Sequence, residues 1–196
     1  MSRFIESICC IHGKVKNLEL HQQRVNQVVN THFNGHSIDL FERIKNVPEV
    51  GRYKLRVIYD HEIHNMEYVA YTPKTTGSIR LVDGGTIDYT YKYENRTDLD
   101  HLFEQRDDCD DILIIKNGLI TDAYYSNVAL FDGSNWYTPT FPLLNGIKRQ
   151  FLLATGELKE RKISQADIRD YEKISLINAM LDLGEIEVSS DNIHFN

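Results

Sequence analysis

Much of what this 196-residue chain could be is excluded by what it does not contain. No run of Lys and Arg occurs in it, and 29 acidic against 22 basic residues leave a formal net charge of −7 at pH 7, with a pI near 5.6. Binding to nucleic acid draws much of its energy from Lys and Arg set against phosphates, so no nucleic-acid partner is expected. No uninterrupted apolar stretch approaches the roughly 20 residues of a membrane-spanning helix. The start, Met1-Ser2-Arg3-Phe4-Ile5-Glu6, has no charged segment leading into an apolar one. A cytoplasmic protein without a membrane partner is the expectation. Cysteine is scarce as well: Cys9, Cys10 and Cys109 are an odd number without metal-binding spacing. Adjacent Cys9 and Cys10 on a strand would point to opposite faces, one into a core and one outward. No internal repeat or low-complexity segment is present.

Several familiar site patterns are missing too. His61-Glu62-Ile63-His64 sets its histidines three residues apart, not at the four-residue spacing of a helical zinc motif. Asp107-Asp108-Cys109-Asp110-Asp111 lacks the Gly and the terminal Glu of a calcium loop and reads as a solvated approach to the next strand. Ser126 and Ser134 have no histidine at a recognisable motif distance, which leaves a serine hydrolase without support. No metal site is expected.

What is present is the composition of an ordinary globular protein, 41% hydrophobic and 26% charged, long enough for one large or two small domains. Strand patterns at Phe4–Ile11 and Lys14–Leu18 flank a turn at Gly13, and a helix is predicted over Leu20–His32 with Val25, Val28 and Val29 on one face. A second helix is predicted over Asp39–Asn46, then a hairpin of Tyr53–Tyr59 with Ile63–Tyr71 across Asp60–Glu62. Pro73–Gly77 breaks the pattern, which predicts a small domain over 1–73, a linker over 74–77 and a larger domain over 78–196. The larger part begins with a strand at Ile79–Val82, a Gly84-Gly85 loop and a helix over Asn95–Glu104. A buried strand at Ile112–Ile115 then enters an Asn117-Gly118 hairpin turn, followed by strands at Val128–Phe131 and Trp136–Thr138. The remainder alternates a helix over Ile147–Thr155, a strand at Leu158–Ile163, a helix over Gln165–Asp170 and a strand at Ile174–Ile177. Strands outnumber helices without βαβ regularity, so the fold class is α+β.

Four places carry chemistry. Asn145-Gly146 leads into the apolar-periodic segment that starts at Ile147 and Lys148, so backbone N–H groups and the positive end of a helix dipole would face an anion there. Asp122 lies between a buried strand and a run of small and aromatic residues. It suits either a turn cap or a partner for a ring nitrogen that must stay protonated. Lys92, after the glycine loop, is by itself either a solvated loop lysine or an amine for Schiff-base chemistry. Arg24, on the first helix beside its apolar stripe, is either exposed or a bidentate phosphate ligand.

These pieces, in this order, resemble the class IV aminotransferase family. Its members are fold-type IV pyridoxal-phosphate enzymes and include branched-chain and D-amino-acid aminotransferases and aminodeoxychorismate lyase. The matching segments are Ile5-Glu6-Ser7, His12-Gly13-Lys14-Val15, His21-Gln22-Gln23-Arg24-Val25, Lys92-Tyr93-Glu94-Asn95-Arg96, Thr121-Asp122 through Asn127, Tyr137-Thr138-Pro139, Asn145 through Phe151, and Ile177-Asn178-Ala179-Met180. The resemblance runs over nearly the whole chain, and the 145–151 segment is nearest the lyase members.

The resemblance implies a two-domain fold like that of D-amino-acid aminotransferase, shortened at its N-terminus, with pyridoxal 5'-phosphate as cofactor. It implies that Lys92 forms the Schiff base and moves the substrate's proton, and that Asp122 faces the pyridine nitrogen. Arg24, the backbone of Gly146, Ile147 and Lys148, and the Asn178-Ala179 turn would hold the phosphate. The expected partners are a small-molecule amino substrate and a second copy in a homodimer. The expected reaction is aminodeoxychorismate lyase-like, giving 4-aminobenzoate and pyruvate. The alternatives are an aminotransferase of the D-amino-acid or branched-chain type, and a catalytically idle relative that binds the cofactor. The family usually carries Glu where this chain has Asp122, one methylene shorter.

Overall fold

A computed structural model describes residues 2–195 of the chain. Two compact units divide it, one made of residues 1–72 with 91–95 and the other of 73–90 with 96–196.

The first unit is a four-stranded antiparallel sheet covered by a helix. Strand β1 (Phe4–Ile11) turns at once into the short β2 (Lys14–Val15). The turn residues His12 and Gly13 both have positive φ, 47° and 73°, the twist that a two-residue hairpin demands. Helix α1 (Leu18–His32) opens at Leu18, where a strand was expected to continue, because Asn17 takes the left-handed conformation (φ 52°) and turns the chain into the helix. Helix α2 is a single turn (Leu40–Arg43), capped by the Asp39 carboxylate accepting from Glu42 N–H. It stops short of the predicted Asn46, since Ile44 is already extended. Strands β3 (Arg52–Tyr59) and β4 (Ile63–Ala70) form the expected hairpin, and the sheet order is β2-β1-β3-β4.

The core of this unit follows from two periodicities. Phe4, Ile8 and Cys10 point inward from β1 at the two-residue repeat of a strand, with Leu55, Val57 and Tyr59 beside them from β3. Val25, Val28 and Val29 of α1 cover them. Cys9 is buried as well as Cys10, contrary to the expectation of one exposed thiol, because three consecutive residues of this central strand are covered on both faces. All three cysteines are free thiols. Segment 91–95 belongs here by hydrogen bonding: Ile5 N–H donates to Lys92 C=O (2.9 Å), Glu94 N–H donates to Arg3 C=O (2.9 Å), and Phe4 bridges Tyr93.

The second unit is built on a larger mixed sheet. Its elements are β5 (Ile79–Asp83), α3 (Thr97–Phe103), β6 (Asp111–Lys116), β7 (Leu119–Ala123), β8 (Asn127–Phe131), β9 (Trp136–Pro139), α4 (Ile147–Ala154), β10 (Lys159–Arg161), β11 (Lys173–Ile177), β12 (Glu187–Ser189) and β13 (Ile193–His194). The main path runs β10-β9-β8-β7-β6-β5-β13, with β11 along the other edge of β8 and β12 beyond it. The Asn117-Gly118 hairpin is present, with φ of 52° and 75°. The segment expected as a helix at 165–170 is a 3₁₀ turn, Ala166–Asp170, too short to close regular α turns. Gly77 and Ser78, at the end of the predicted linker, donate their N–H groups to Asp110 at 2.7 and 3.1 Å and so belong to this unit. No helix among the described residues is long and apolar enough to cross a membrane.

One detail of the topology positions the site. Because β11 pairs with β8 along its whole length, β7 and β9 must share the opposite edge: β7 meets it at Asn127, β9 at Leu130 and Phe131. Asp122 pairs with Asn127 where these two strands part.

Candidate functional site

In the first unit Lys92 is fixed through its backbone. Its C=O accepts from Ile5 N–H of β1, Glu94 N–H donates to Arg3 C=O just before that strand, and its neighbours Tyr91 and Tyr93 pack their rings on Phe4, with centroids 6.2 and 5.1 Å away. Aromatic anchors on both sides of a lysine keep its Cα in place while leaving its flexible stem to be directed by its surroundings.

Arg24 is committed to a partner that the sequence did not single out as a site residue. Its Nε and Nη2 donate to the two carboxylate oxygens of Glu6 at 2.7 and 2.5 Å, and His21 Nδ1 lies 2.6 Å from Glu6 Oε2. Burial alone would push the Glu6 carboxyl up; the Arg24 charge and the hydrogen-bonded His21 outweigh it and hold it at about 2. Burial also pushes His21 down, with Glu6 pulling the other way, while the positive charges of Arg24 and Lys92 reinforce the shift. Its Nε2 is buried with no hydrogen-bond partner among the described residues. The signal for this cluster was in the sequence: Glu6 falls on the inward register of Phe4, Ile8 and Cys10, and His21 and Arg24 are three apart on one helix face.

In the second unit Asp122 lies within β7, buried to 6% exposure. Its Oδ1 accepts from Asn127 Nδ2 at 2.7 Å and its Oδ2 from Leu144 N–H at 2.9 Å. The same Asn127 Nδ2 donates to Leu144 C=O at 2.8 Å. Two acceptors on one side fix which way that amide points. Burial raises the Asp122 carboxyl to about 6, against the Leu144 and Asn127 hydrogen bonds and the charge of Arg149.

Gly146 sits on the other side of Asn127. A Cβ at 146 would overlap Asn127 Oδ1, so the amide network and the absence of a side chain at 146 require each other. Helix α4 then begins with no side-chain cap, which leaves the N–H groups of its first turn, at Ile147 and Lys148, directed outward along the axis. The Lys148 side chain pairs with Asp182. Arg149 is buried and donates to Asn145 Oδ1 (3.0 Å), Pro139 C=O (2.9 Å) and Glu160 (2.5 Å), which pins the start of the helix to β9 and β10.

The Asn178-Ala179 turn is held by the Asn178 side chain. Its Oδ1 accepts from Met180 and Leu181 N–H at 2.8 and 3.0 Å, and its Nδ2 donates to Ser126 Oγ at 3.0 Å. That joins the turn to the 124–126 loop, whose far side is clamped by Arg96. The guanidinium donates to Tyr89 OH (2.9 Å) and Tyr124 C=O (2.6 Å) and lies 4.2 Å over the Tyr125 ring.

Of the residues expected from the sequence, Asp122, Gly146, Ile147, Lys148, Asn178 and Ala179 thus lie on one connected framework in the second unit, and Lys92 and Arg24 lie in the first. Asn127, Arg149 and Glu6 were missed as site members. His61 Nδ1 and His64 Nε2 each lie 2.8 Å from the Asp60 carboxylate, contacts local to the β3–β4 hairpin. No group of three or more His, Cys, Asp or Glu among the described residues is placed to hold a metal ion.

Residues 94–188 match the family model described as amino-transferase class IV. An uncharacterised protein of Haemophilus influenzae is 35% identical over 185 residues, 92% of this chain and 98% of that one. A crystal structure from Haemophilus somnus, provisionally assigned as a 4-amino-4-deoxychorismate lyase, superposes with a TM-score of 0.84 at 29% identity and covers 93% of this chain and 98% of its own. At 19% identity, where likeness shows the fold alone, a provisionally assigned amino-acid aminotransferase from Mesorhizobium loti gives a TM-score of 0.79, with 96% of this chain and 99% of that one covered. A hypothetical aminotransferase from Mycobacterium tuberculosis in its PLP-bound form gives 0.74, also at 19% identity, with 94% and 80% covered.

Proposed function

Because the chain belongs to the class IV aminotransferase family, we propose that it is a pyridoxal-phosphate enzyme that acts on an amino-bearing substrate, with aminodeoxychorismate lyase-like chemistry. The observation that carries the cofactor is the framework around Asn127. It holds a buried carboxylate, with no cation hydrogen-bonded to it, on the same scaffold as an uncapped helix start that needs glycine. A buried acid of this kind is stabilised by a protonated ring nitrogen, and free N–H groups at a helix start are stabilised by a phosphate. The residues therefore fit the group.

In this reading Asp122 faces the ring nitrogen and keeps it protonated. In the second unit the N–H groups of Ile147 and Lys148 beyond Gly146, and the Asn178-Ala179 turn, would hold the phosphate; in the first, Glu6 holds the Arg24 guanidinium in orientation for an anion. Lys92 would hold the cofactor covalently. When bound, pyridoxal phosphate supplies an electron sink that stabilises negative charge on the carbon bearing the substrate's amino group. The Lys92 amine would accept the proton from that carbon. In the lyase reaction loss of this proton and expulsion of the enolpyruvyl group leave an aromatic ring, so one aminodeoxychorismate gives one 4-aminobenzoate and one pyruvate.

The lyase reading rests on the Haemophilus somnus relative, which is matched over 98% of its length. Amino-group transfer to a 2-oxo acid uses the same residues and is the second reading, favoured by the class of the matching family model. Products separate them. Pyruvate and 4-aminobenzoate in equal amounts from aminodeoxychorismate, abolished in Lys92→Ala, support the lyase; a new amino acid formed only when a 2-oxo acid is added supports the transferase. A protein that binds the cofactor and does neither would be an idle relative.

A further inference from the structure

The acid at 122 and the helix start at 147 are joined by one side chain, and that side chain has no assigned role. We propose that Asn127 is a positioning residue for the cofactor: it keeps the Asp122 carboxylate ionised and aimed, and locks it in register with the N-terminus of α4. The inference rests on Asp122 as the partner of the ring nitrogen.

The geometry points to this because Asn127 is bonded on both sides of the framework. Through Nδ2 it donates to Asp122 Oδ1 and to Leu144 C=O, while Leu144 N–H donates back to Asp122 Oδ2. The result is a closed ring of three residues from β7, β8 and the loop that feeds α4. Through Oδ1 it fills the space a side chain at 146 would need. The acid cannot swing without releasing the loop, and the loop cannot shift without releasing the acid.

The effect on charge follows from what faces Asp122. From β8 and the 143–144 segment it meets the neutral donors Asn127, Leu143 and Leu144. From α4 it feels Arg149, whose guanidinium is already held by Asn145, Pro139 and Glu160. Burial opposes ionisation, and the Asn127 hydrogen bond favours it. Loss of that bond therefore moves the acid further toward its neutral form near pH 7, where a neutral acid cannot hold a protonated ring.

The test uses the full chain in wild-type, Asn127→Ala and Asn127→Ser forms, with two readouts. In the cofactor-free protein, carbon-13 NMR follows the Asp122 carboxyl against pH, and nitrogen-15 NMR follows the Asn127 side-chain amide of the wild type. The amide is expected to move with the same midpoint as the carboxyl, and the variants to raise that midpoint by about one unit. In the second readout, pyridoxal-phosphate affinity is expected to fall roughly tenfold in Asn127→Ala near pH 7, with the gap closing by about pH 9, where Asp122 is ionised in both forms. Asn127→Ser, with a shorter donor, lies between the two.

An amide that ignores the Asp122 titration, or an affinity loss equal at every pH, overturns the proposal; the first needs no variant to fold. A wild type that binds no pyridoxal phosphate overturns the cofactor reading instead, while the two NMR midpoints still decide whether Asn127 controls Asp122.

Discussion

Two buried acids in this protein have opposite linkages to folding. Glu6, held at about 2 by Arg24 and His21 despite its burial, is more acidic folded than unfolded. Its contribution is present above the ordinary glutamate value and is lost as pH falls from about 4.5 toward 2, on the order of 3 kcal/mol across that window. Asp122, raised to about 6 by burial, behaves the other way: its contribution is complete below about 4 and is lost as pH rises through 6. Urea unfolding of the cofactor-free protein from pH 4 to 8 should therefore show a decline between about 4 and 6, level above that, which Asp122→Asn removes. A decline that persists in the variant would assign it elsewhere, Asp111 being the alternative, since burial raises that acid to about 6 as well. Glu6→Gln leaves Arg24 buried without its counter-charge, and a loss of about 3–5 kcal/mol is expected from the same unfolding measurement at pH 7.

At the scale of elements, the framework of the second unit makes α4 sensitive at its N-cap, Gly146. Gly146→Ala forces a Cβ onto Asn127 Oδ1, which is held in place by the bonds of its own amide. Overpacking of this kind costs about 1–3 kcal/mol, and thermal unfolding of the variant should show it together with weakened phosphate and cofactor binding. The N-terminal end of α4 was legible in the sequence because Asn-Gly before an apolar-periodic run is a local signal, and β1, α1, β3, β4 and β8 were legible for the same reason. Short elements were not. Helix α2 closes one turn, and the 165–170 segment stays 3₁₀, because their ends are set by packing rather than by propensity. Strands β12 and β13 have too few residues to show a period. For the candidate site, Asp122 and Lys148 were singled out through their chain neighbours. Asn127, five residues from Asp122, joins it only because β7 and β8 turn back on one another, and Glu6 meets Arg24 only because β1 lies under α1. The register of Glu6 on the inward face of β1 was legible, but which partner each acid meets depends on topology.

At the scale of the whole molecule, the candidate residues are distributed by unit: Lys92, Arg24, Glu6 and His21 in one, Asp122, Gly146, Ile147, Lys148, Asn178 and Ala179 in the other. Abbreviation relative to longer members is shared with relatives, since the Haemophilus proteins are matched over 98% of their own lengths. The family resemblance implies a homodimer, and sedimentation should then give twice the 22.8 kDa of one chain; a monomer that keeps activity would remove that expectation alone. The central claim is that one cofactor is carried covalently by Lys92. Borohydride reduction in the presence of pyridoxal phosphate, followed by peptide mass mapping, tests it most directly. The account predicts a single phosphopyridoxyl label on the peptide containing Lys92, absent when Lys92 is replaced by alanine; a label on another lysine, or none, would contradict it.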